Sequence, residues 1–213
     1  MTQHRLAILA ALGSAALLAG CAAGPASSTG DRPSGGTVDP AGIGAPIPAP
    51  GEVIGQGTVI QVGDTAPQFC LGPVMESSPP QCSGPGIVGW DWEAVEGDET
   101  SGDVRWGAYA VTGTWDGEVL TTTSAIMLAL YDPMPFVDPL LEPENAGDTS
   151  EGDLERIQSE LIASAPFPVL TTWSENGYVF ASVIYDDGRL QAWADETYLP
   201  DTVAIRPALR DVE

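Results

Sequence analysis

The sequence predicts an α+β fold in which a small antiparallel β-barrel-like module is followed by an α+β module, behind a disordered N-terminal tether. Residues 53–131 contain several short apolar or β-branched stretches joined by Gly and Pro, which is typical of antiparallel strands. Residues 148–213 combine a helical pattern with a strand hairpin. Residues 22–51 carry almost no large apolar side chain and cannot offset the entropy of ordering.

Five segments follow from these patterns. We predict a lipoprotein signal peptide at 1–20, a lipidated cysteine with a disordered Gly/Pro/Ala linker at 21–52, the β-rich module at 53–131, an acidic Pro-rich connector at 132–147 and the α+β module at 148–213. The folded part has roughly 160 residues, which is enough for one good core or two small ones.

The first segment has the three parts of an export signal. A short positive start is followed by an apolar stretch from Leu6 to Leu18, which is too short to cross a bilayer as a helix. Leu18-Ala19-Gly20-Cys21 then forms a lipobox. We predict cleavage between Gly20 and Cys21, a diacylglyceryl group on Cys21, and a position on the extracellular face of the cell membrane. An ordinary secretory signal is the alternative.

The amino-acid composition and the net charge exclude several classes of function. Removal of residues 1–20 leaves six arginines, 30 acidic residues and no lysine or histidine, a formal net charge of −24. A chain without histidine has no Ser-His-Asp triad and no His-ligated metal, and one without lysine forms no Schiff base. Such an acidic surface should repel nucleic acid and anionic lipid headgroups. The protein should therefore be held at the membrane only by the lipid on Cys21.

The two remaining cysteines, Cys70 and Cys82, form an even pair in an oxidising compartment. The residues between them include three prolines, which predict an irregular loop. We predict a disulfide between these cysteines; a buried or metal-binding thiol pair is the alternative.

The strands of the first module are justified by their residues in chain order. Val, Ile and Thr predict the first strand, and apolar residues that alternate on both faces predict the fourth. Asp116-Gly117 is a hairpin turn dipeptide between the last two. The predicted strands are 53–62, 68–72, 86–92, 104–114 and 119–130.

The second module opens on a helix. Leu154, Ile157 and Leu161 recur at helical spacing after Ser150. A hairpin that turns at Asn176-Gly177, a short helix and a last strand follow. These elements are predicted at 169–174 and 178–185, at 190–198, and at 203–209.

Tryptophans and carboxylates are the candidate site residues. Trp90 and Trp92 would share one face of a strand, either as an aromatic platform for a sugar or peptide or as core; we favour core. The acidic stretch from Asp91 to Asp103 is a Ca²⁺ site, a glycosidase carboxylate pair or a solvated loop, and we favour the loop. We therefore predict no catalytic residue, no cofactor and no metal ligand.

Two sets of motifs stand out along the chain. The first is Phe69-Cys70-Leu71-Gly72, Glu76-Ser77-Ser78-Pro79-Pro80-Gln81-Cys82, Gly89-Trp90-Asp91-Trp92 and Trp106-Gly107-x-Tyr109-x-Val111-Thr112-Gly113; the second is Tyr185-Asp186-Asp187-Gly188-x-Leu190-Gln191-Ala192-Trp193, Val203-x-Ile205 and Pro207-Ala208-Leu209. The first set resembles a group of small secreted proteins and lipoproteins of actinobacteria, and the second resembles a recurring C-terminal piece of actinobacterial envelope proteins. The resemblance implies a Gram-positive source and an extracytoplasmic location, and it carries no implication about chemistry.

These patterns together predict a membrane-anchored lipoprotein that is not an enzyme. Its expected role is to bind or position another envelope protein or a cell-wall component. A carboxylate-dependent enzyme that acts on wall glycan or peptide, and a small solute-binding lipoprotein, are the alternatives.

Overall fold

The computed structural model describes residues 42–133 and 137–212 as a mixed α/β fold with more strand than helix. The predicted signal peptide, with Gly20, and the predicted lipidation site, Cys21, lie outside these residues. The strands are β1 (Glu52–Val62), β2 (Gln68–Cys70), β3 (Gly86–Val88), β4 (Glu99–Ser101), β5 (Val104–Trp115), β6 (Val119–Met127), β7 (Thr171–Glu175), β8 (Tyr178–Val183), β9 (Val203–Pro207) and β10 (Leu209–Asp211); the α-helices are α1 (Glu151–Ser164) and α2 (Arg189–Tyr198). Neither of these helices is long and apolar enough to cross a membrane.

The first sheet is a ring of strands but not a barrel. Its order is β10-β1-β2-β3-β6-β5-β4, and β1 also pairs with β5, which closes the ring. The contact between β2 and β3 consists of one residue pair, Gln68 with Gly86. Strand β3 runs parallel to β6. The prediction of an antiparallel barrel-like module is therefore corrected to a ring-like sheet with mixed strand directions. A long loop separates β2 from β3 in the chain, and the ladder between these two strands stays incomplete.

The longest ladder joins β1 and β5. Their antiparallel register runs from Glu52 opposite Thr114 to Val62 opposite Val104. Since side chains alternate along a strand, one face of this ladder points into the core and the other points outward. Val59 and Tyr109 are fully buried on the inner face, whereas Trp106 is partly exposed on the outer one. The predicted alternation in residues 104–114 is confirmed.

The second sheet has the order β7-β8-β9 and packs against both α-helices. The Ser150 side chain caps α1 by accepting a hydrogen bond from the Asp153 N–H, as the sequence pattern suggests. The β7–β8 hairpin turns at Asn176 and Gly177, whose φ values of 49° and 82° are those of a type I′ turn. Strands β8 and β9 are parallel and are connected through α2.

Buried side chains from the two modules form one cluster. Phe69 and Val111 of the first sheet belong to it, together with Leu161 of α1 and Val183 of β8. The last strand strengthens the connection, because β10 pairs with β1 while Leu209 is fully buried. The predicted strand at 203–209 is thus two strands, one in each sheet.

The folded part includes residues 42–51, which are predicted from the sequence to belong to the linker. Ile43 and Ile47 are only 1% and 6% exposed and belong to the core cluster. The Ala49 N–H donates to the Trp115 carbonyl oxygen at 2.9 Å. Two isoleucines in an otherwise small and Pro-rich stretch are enough to attach it, because each removes a large apolar area from water.

The connector is attached to the second sheet by hydrogen bonds. Asn176 Nδ2 donates to the carbonyl oxygens of Leu140 and Glu142 at 2.8 and 2.9 Å. Asp138 accepts from the Arg206 guanidinium at 2.6 Å, and this bond holds the pKa of the Asp138 carboxyl below its usual value. Leu140 also packs against a small cluster of buried side chains, Tyr178 and Phe180 of β8 and Ala204 of β9. The connector therefore covers that face of the second sheet.

Replacing Asn176 by aspartate should lower the free energy of unfolding by about 2 kcal/mol, because a carboxylate cannot donate to the two carbonyl oxygens and lies close to both. Asn176→Gly is the matched control: it keeps the positive φ but removes the donor, and we expect it to cost about half as much. Urea unfolding of the three proteins measures the difference. Equal stabilities would show that the connector is not held by Asn176.

Candidate functional site

The disulfide positions the candidate site. Cys70, at the end of β2, is bonded to Cys82, and their Cα atoms are 5.9 Å apart, which confirms the predicted pair. The loop between them doubles back on itself, with Met75 paired to Gln81. Two of the three prolines of this loop, Pro79 and Pro80, face the outer side of the β1–β5 ladder across the cavities described next.

Two adjoining cavities lie where the loop meets the ladder, with volumes of about 360 and 350 Å³. Pro80 lines both of them. We call them together the disulfide groove. Its floor is made by side chains of the outer ladder face, and its wall by the two prolines of the loop. The floor residues are Ile60, Val62, Val104 and Trp106.

The chemistry of the groove is apolar and nearly uncharged. In the part of the chain that the structure describes, Glu99 is the one charged residue that lines it. Polar side chains occur at its rim, among them Thr58, Gln68 and Gln81. Val62 is 46% exposed, which is a large fraction for an aliphatic side chain on a strand. An apolar, aromatic floor with a few polar rim groups suits a neutral segment of a binding partner.

Trp90 and Trp92, the candidate aromatic platform, do not line the disulfide groove. Strand β3 ends at Val88, and Trp92 begins a short 3₁₀ helix. The prediction that Trp90 and Trp92 share one face of a strand is therefore wrong. Both rings pack edge-to-face with Tyr109. They are partly buried against the core, which supports the interpretation that they are packing residues. The reason for the difference is the turn at Gly89, whose positive φ of 75° ends the strand.

The acidic stretch surrounds an arginine. Arg105 Nε donates to Asp98 at 2.6 Å and Nη1 donates to Glu93 at 3.3 Å, and its guanidinium lies 5.0 Å from the ring centre of Trp92. The hydrogen bond with Asp98 raises the pKa of Arg105. Part of the stretch is strand β4, which pairs with β5, so the prediction of a continuous loop is corrected. Strand β4 forms because the edge of β5 offers backbone hydrogen-bonding partners, and the sequence of β4 itself gives no sign of this pairing.

The C-terminal motif connects α2 to β9. Gln191 Nε2 donates to the Val203 carbonyl oxygen, and Gln191 Oε1 accepts from the Ile205 N–H, both at 2.8 Å. Asp186 accepts from the Leu190 N–H at the start of α2. These contacts give the motif a structural role. Over residues 42–133 and 137–212, no three His, Cys, Asp or Glu side chains are placed to hold a metal ion.

Of the site residues predicted from sequence, Cys70 and Cys82 are placed together, and Gly20 and Cys21 fall outside the described residues. Comparison with models of known protein families, with curated proteins and with solved structures finds no match. The function is therefore inferred from the chain's own residues and their arrangement.

Proposed function

We propose that this protein is a lipid-anchored component of the cell envelope whose folded unit binds or positions a partner outside the cytoplasm. The observation that carries the proposal is the Leu-Ala-Gly-Cys tetrapeptide at residues 18–21, at the end of an apolar stretch and ahead of a linker. Acyl chains on Cys21 would hold the chain at the outer face of the membrane, since two chains give stable anchoring where one does not.

The disulfide groove supports a binding role. It offers an indole, aliphatic side chains and two prolines on a rigid ladder, and a covalent bond fixes its wall. Rigid apolar surfaces of this kind contribute affinity without a large cost in ordering on binding. Among the described residues that line the groove, Glu99 is the one carboxylate, which does not favour a mechanism that needs two.

The charge of the protein narrows the class of partner. With a net charge of −24 after cleavage, nucleic acids and other polyanions should be repelled. The groove itself is nearly neutral. We therefore propose that the occupant of the groove is a neutral, partly apolar segment of an envelope protein or wall component. The partner surface next to that segment should be basic or neutral, because the surface of this protein is acidic.

Site-specific photocrosslinking in intact cells tests this proposal. A crosslinking residue at Val62, on the groove floor, should give a discrete adduct, because Val62 is partly exposed and faces the occupant. Ile162 of α1 is the matched control: it is also an exposed aliphatic residue, at 59%, but does not line the groove. A second substitution, Trp106→Ala, should reduce the Val62 adduct at least severalfold. Equal labelling from the two positions, or an adduct that Trp106→Ala leaves unchanged, would contradict the groove as the binding site.

A further inference from the structure

A second, smaller cavity shares none of its described lining residues with the disulfide groove. One wall is formed by residues 43–47, which we call the strap, and the opposite walls come from the β5–β6 turn and the second sheet. The volume is about 140 Å³. We infer that this strap cavity is a binding site for a neutral apolar molecule or group of about the size of one aromatic ring. The inference does not depend on the proposed function of the disulfide groove.

The lining excludes charged ligands. Three aromatic residues, Trp115, Phe167 and Tyr185, contribute to it, along with aliphatic side chains and prolines. None of the lining residues within 42–133 and 137–212 is charged. The Tyr185 hydroxyl already donates to Asp211 Oδ1 at 3.1 Å, so its proton is engaged. Burial raises the pKa of Tyr185 to about 12, so the ring stays neutral across the physiological range. A charged ligand would lose its hydration here and find no partner.

The size selects the ligand. An apolar cavity of about 150 Å³ inside a protein core stays free of water and accepts benzene. The strap cavity has nearly this volume and is partly open to solvent, so a ligand can enter it directly. Because drug-sized ligands occupy about 300 Å³ or more, this site fits a single ring or a short branched alkyl group.

The strap borders a cavity that is already partly open to solvent. It is held by two buried side chains, Ile43 and Ile47, and by the close approach of Gly44 to the Pro166 carbonyl oxygen. Its described backbone hydrogen bonds are few: the Ala45 N–H bonds locally to Gly42, and the contact with the sheet comes just after the strap, from Ala49 to Trp115. A segment attached by a few side chains opens more easily than a paired strand. A bound ring would touch both the strap and the second sheet and should therefore hold the strap in place.

Toluene and benzoate are the probes for this site, because they share one ring and differ in charge. With the mature chain carrying Cys21→Ser, so that no lipid or detergent is present, millimolar toluene should raise the melting temperature by a few degrees through preferential binding to the folded state. Benzoate at the same concentration should have no effect. In two-dimensional NMR spectra, toluene should shift the Trp115 indole signal and the amide signals of the strap.

Two filling variants make the test specific. Leu190→Phe places a larger side chain at a buried position that lines the cavity and should abolish the toluene effect. Val62→Phe, in the disulfide groove, should leave it intact. Should Leu190→Phe not fold, the NMR shifts of the unsubstituted protein still decide. The inference is overturned if toluene changes neither the melting temperature nor the strap signals, if benzoate acts equally, or if a folded Leu190→Phe variant still responds.

Discussion

Cys21→Ala should abolish fatty-acid incorporation and reduce the membrane-bound fraction of the protein by about tenfold or more. The reason is physical: residues 6–18 are too short to span a bilayer, and the acidic mature chain is repelled by anionic headgroups, so acyl chains on Cys21 are the proposed attachment. Metabolic labelling with a palmitate analogue, followed by fractionation of cells, measures both quantities.

The remaining cysteines supply the control for this experiment. A chain with Cys70→Ser and Cys82→Ser keeps the lipobox and should be labelled and retained on membranes like the unsubstituted protein. Label that persists in Cys21→Ala, or that disappears in the double variant, would show that the acyl group is not on Cys21.

The same double variant should be less stable by about 3 kcal/mol, since the disulfide between Cys70 and Cys82 closes a loop with a sequence separation of 12. For a protein of this size the melting temperature should fall by about 6–12 °C. Calorimetry of the oxidised protein and of the variant measures the change.

Reductant provides the matched control. It should lower the melting temperature of the unsubstituted protein to that of the variant, and it should not affect the variant itself. Because the bond fixes Pro79 and Pro80 against β1, we also expect the variant to lose the Val62 crosslink. Identical melting of the two oxidised proteins would mean that the bond contributes nothing to stability.

Local patterns predicted most of the individual elements. Alternation identified β5, helical spacing identified α1, and the dipeptides Asp116-Gly117 and Asn176-Gly177 identified both hairpin turns. Each of these signals depends on residues close together in the chain. They are therefore readable without knowledge of the fold.

The pairings between distant segments could not be read in this way. The parallel contact of β3 with β6, the addition of β10 to β1 and the short strand β4 all depend on partners elsewhere in the chain. Backbone hydrogen bonding carries no residue signature, and a short strand such as β4, with all three residues exposed, has no apolar pattern of its own.

The candidate sites show the same division. The disulfide was predictable from the cysteine count, and the outward position of Trp106 follows from the alternation in β5. Which face the prolines of the loop would cover was not predictable, because the loop has no regular geometry. The attachment of Ile43 and Ile47 was missed for a related reason: two apolar residues among many small ones give no periodic signal.

We propose that Cys21 is the acylated first residue of the mature protein. Intact-mass and peptide mass spectrometry of the protein purified from its native membranes decides this. We expect a chain that begins at Cys21 and carries a diacylglyceryl group. A chain that retains residues 1–20, or that begins elsewhere without fatty acid, would contradict it.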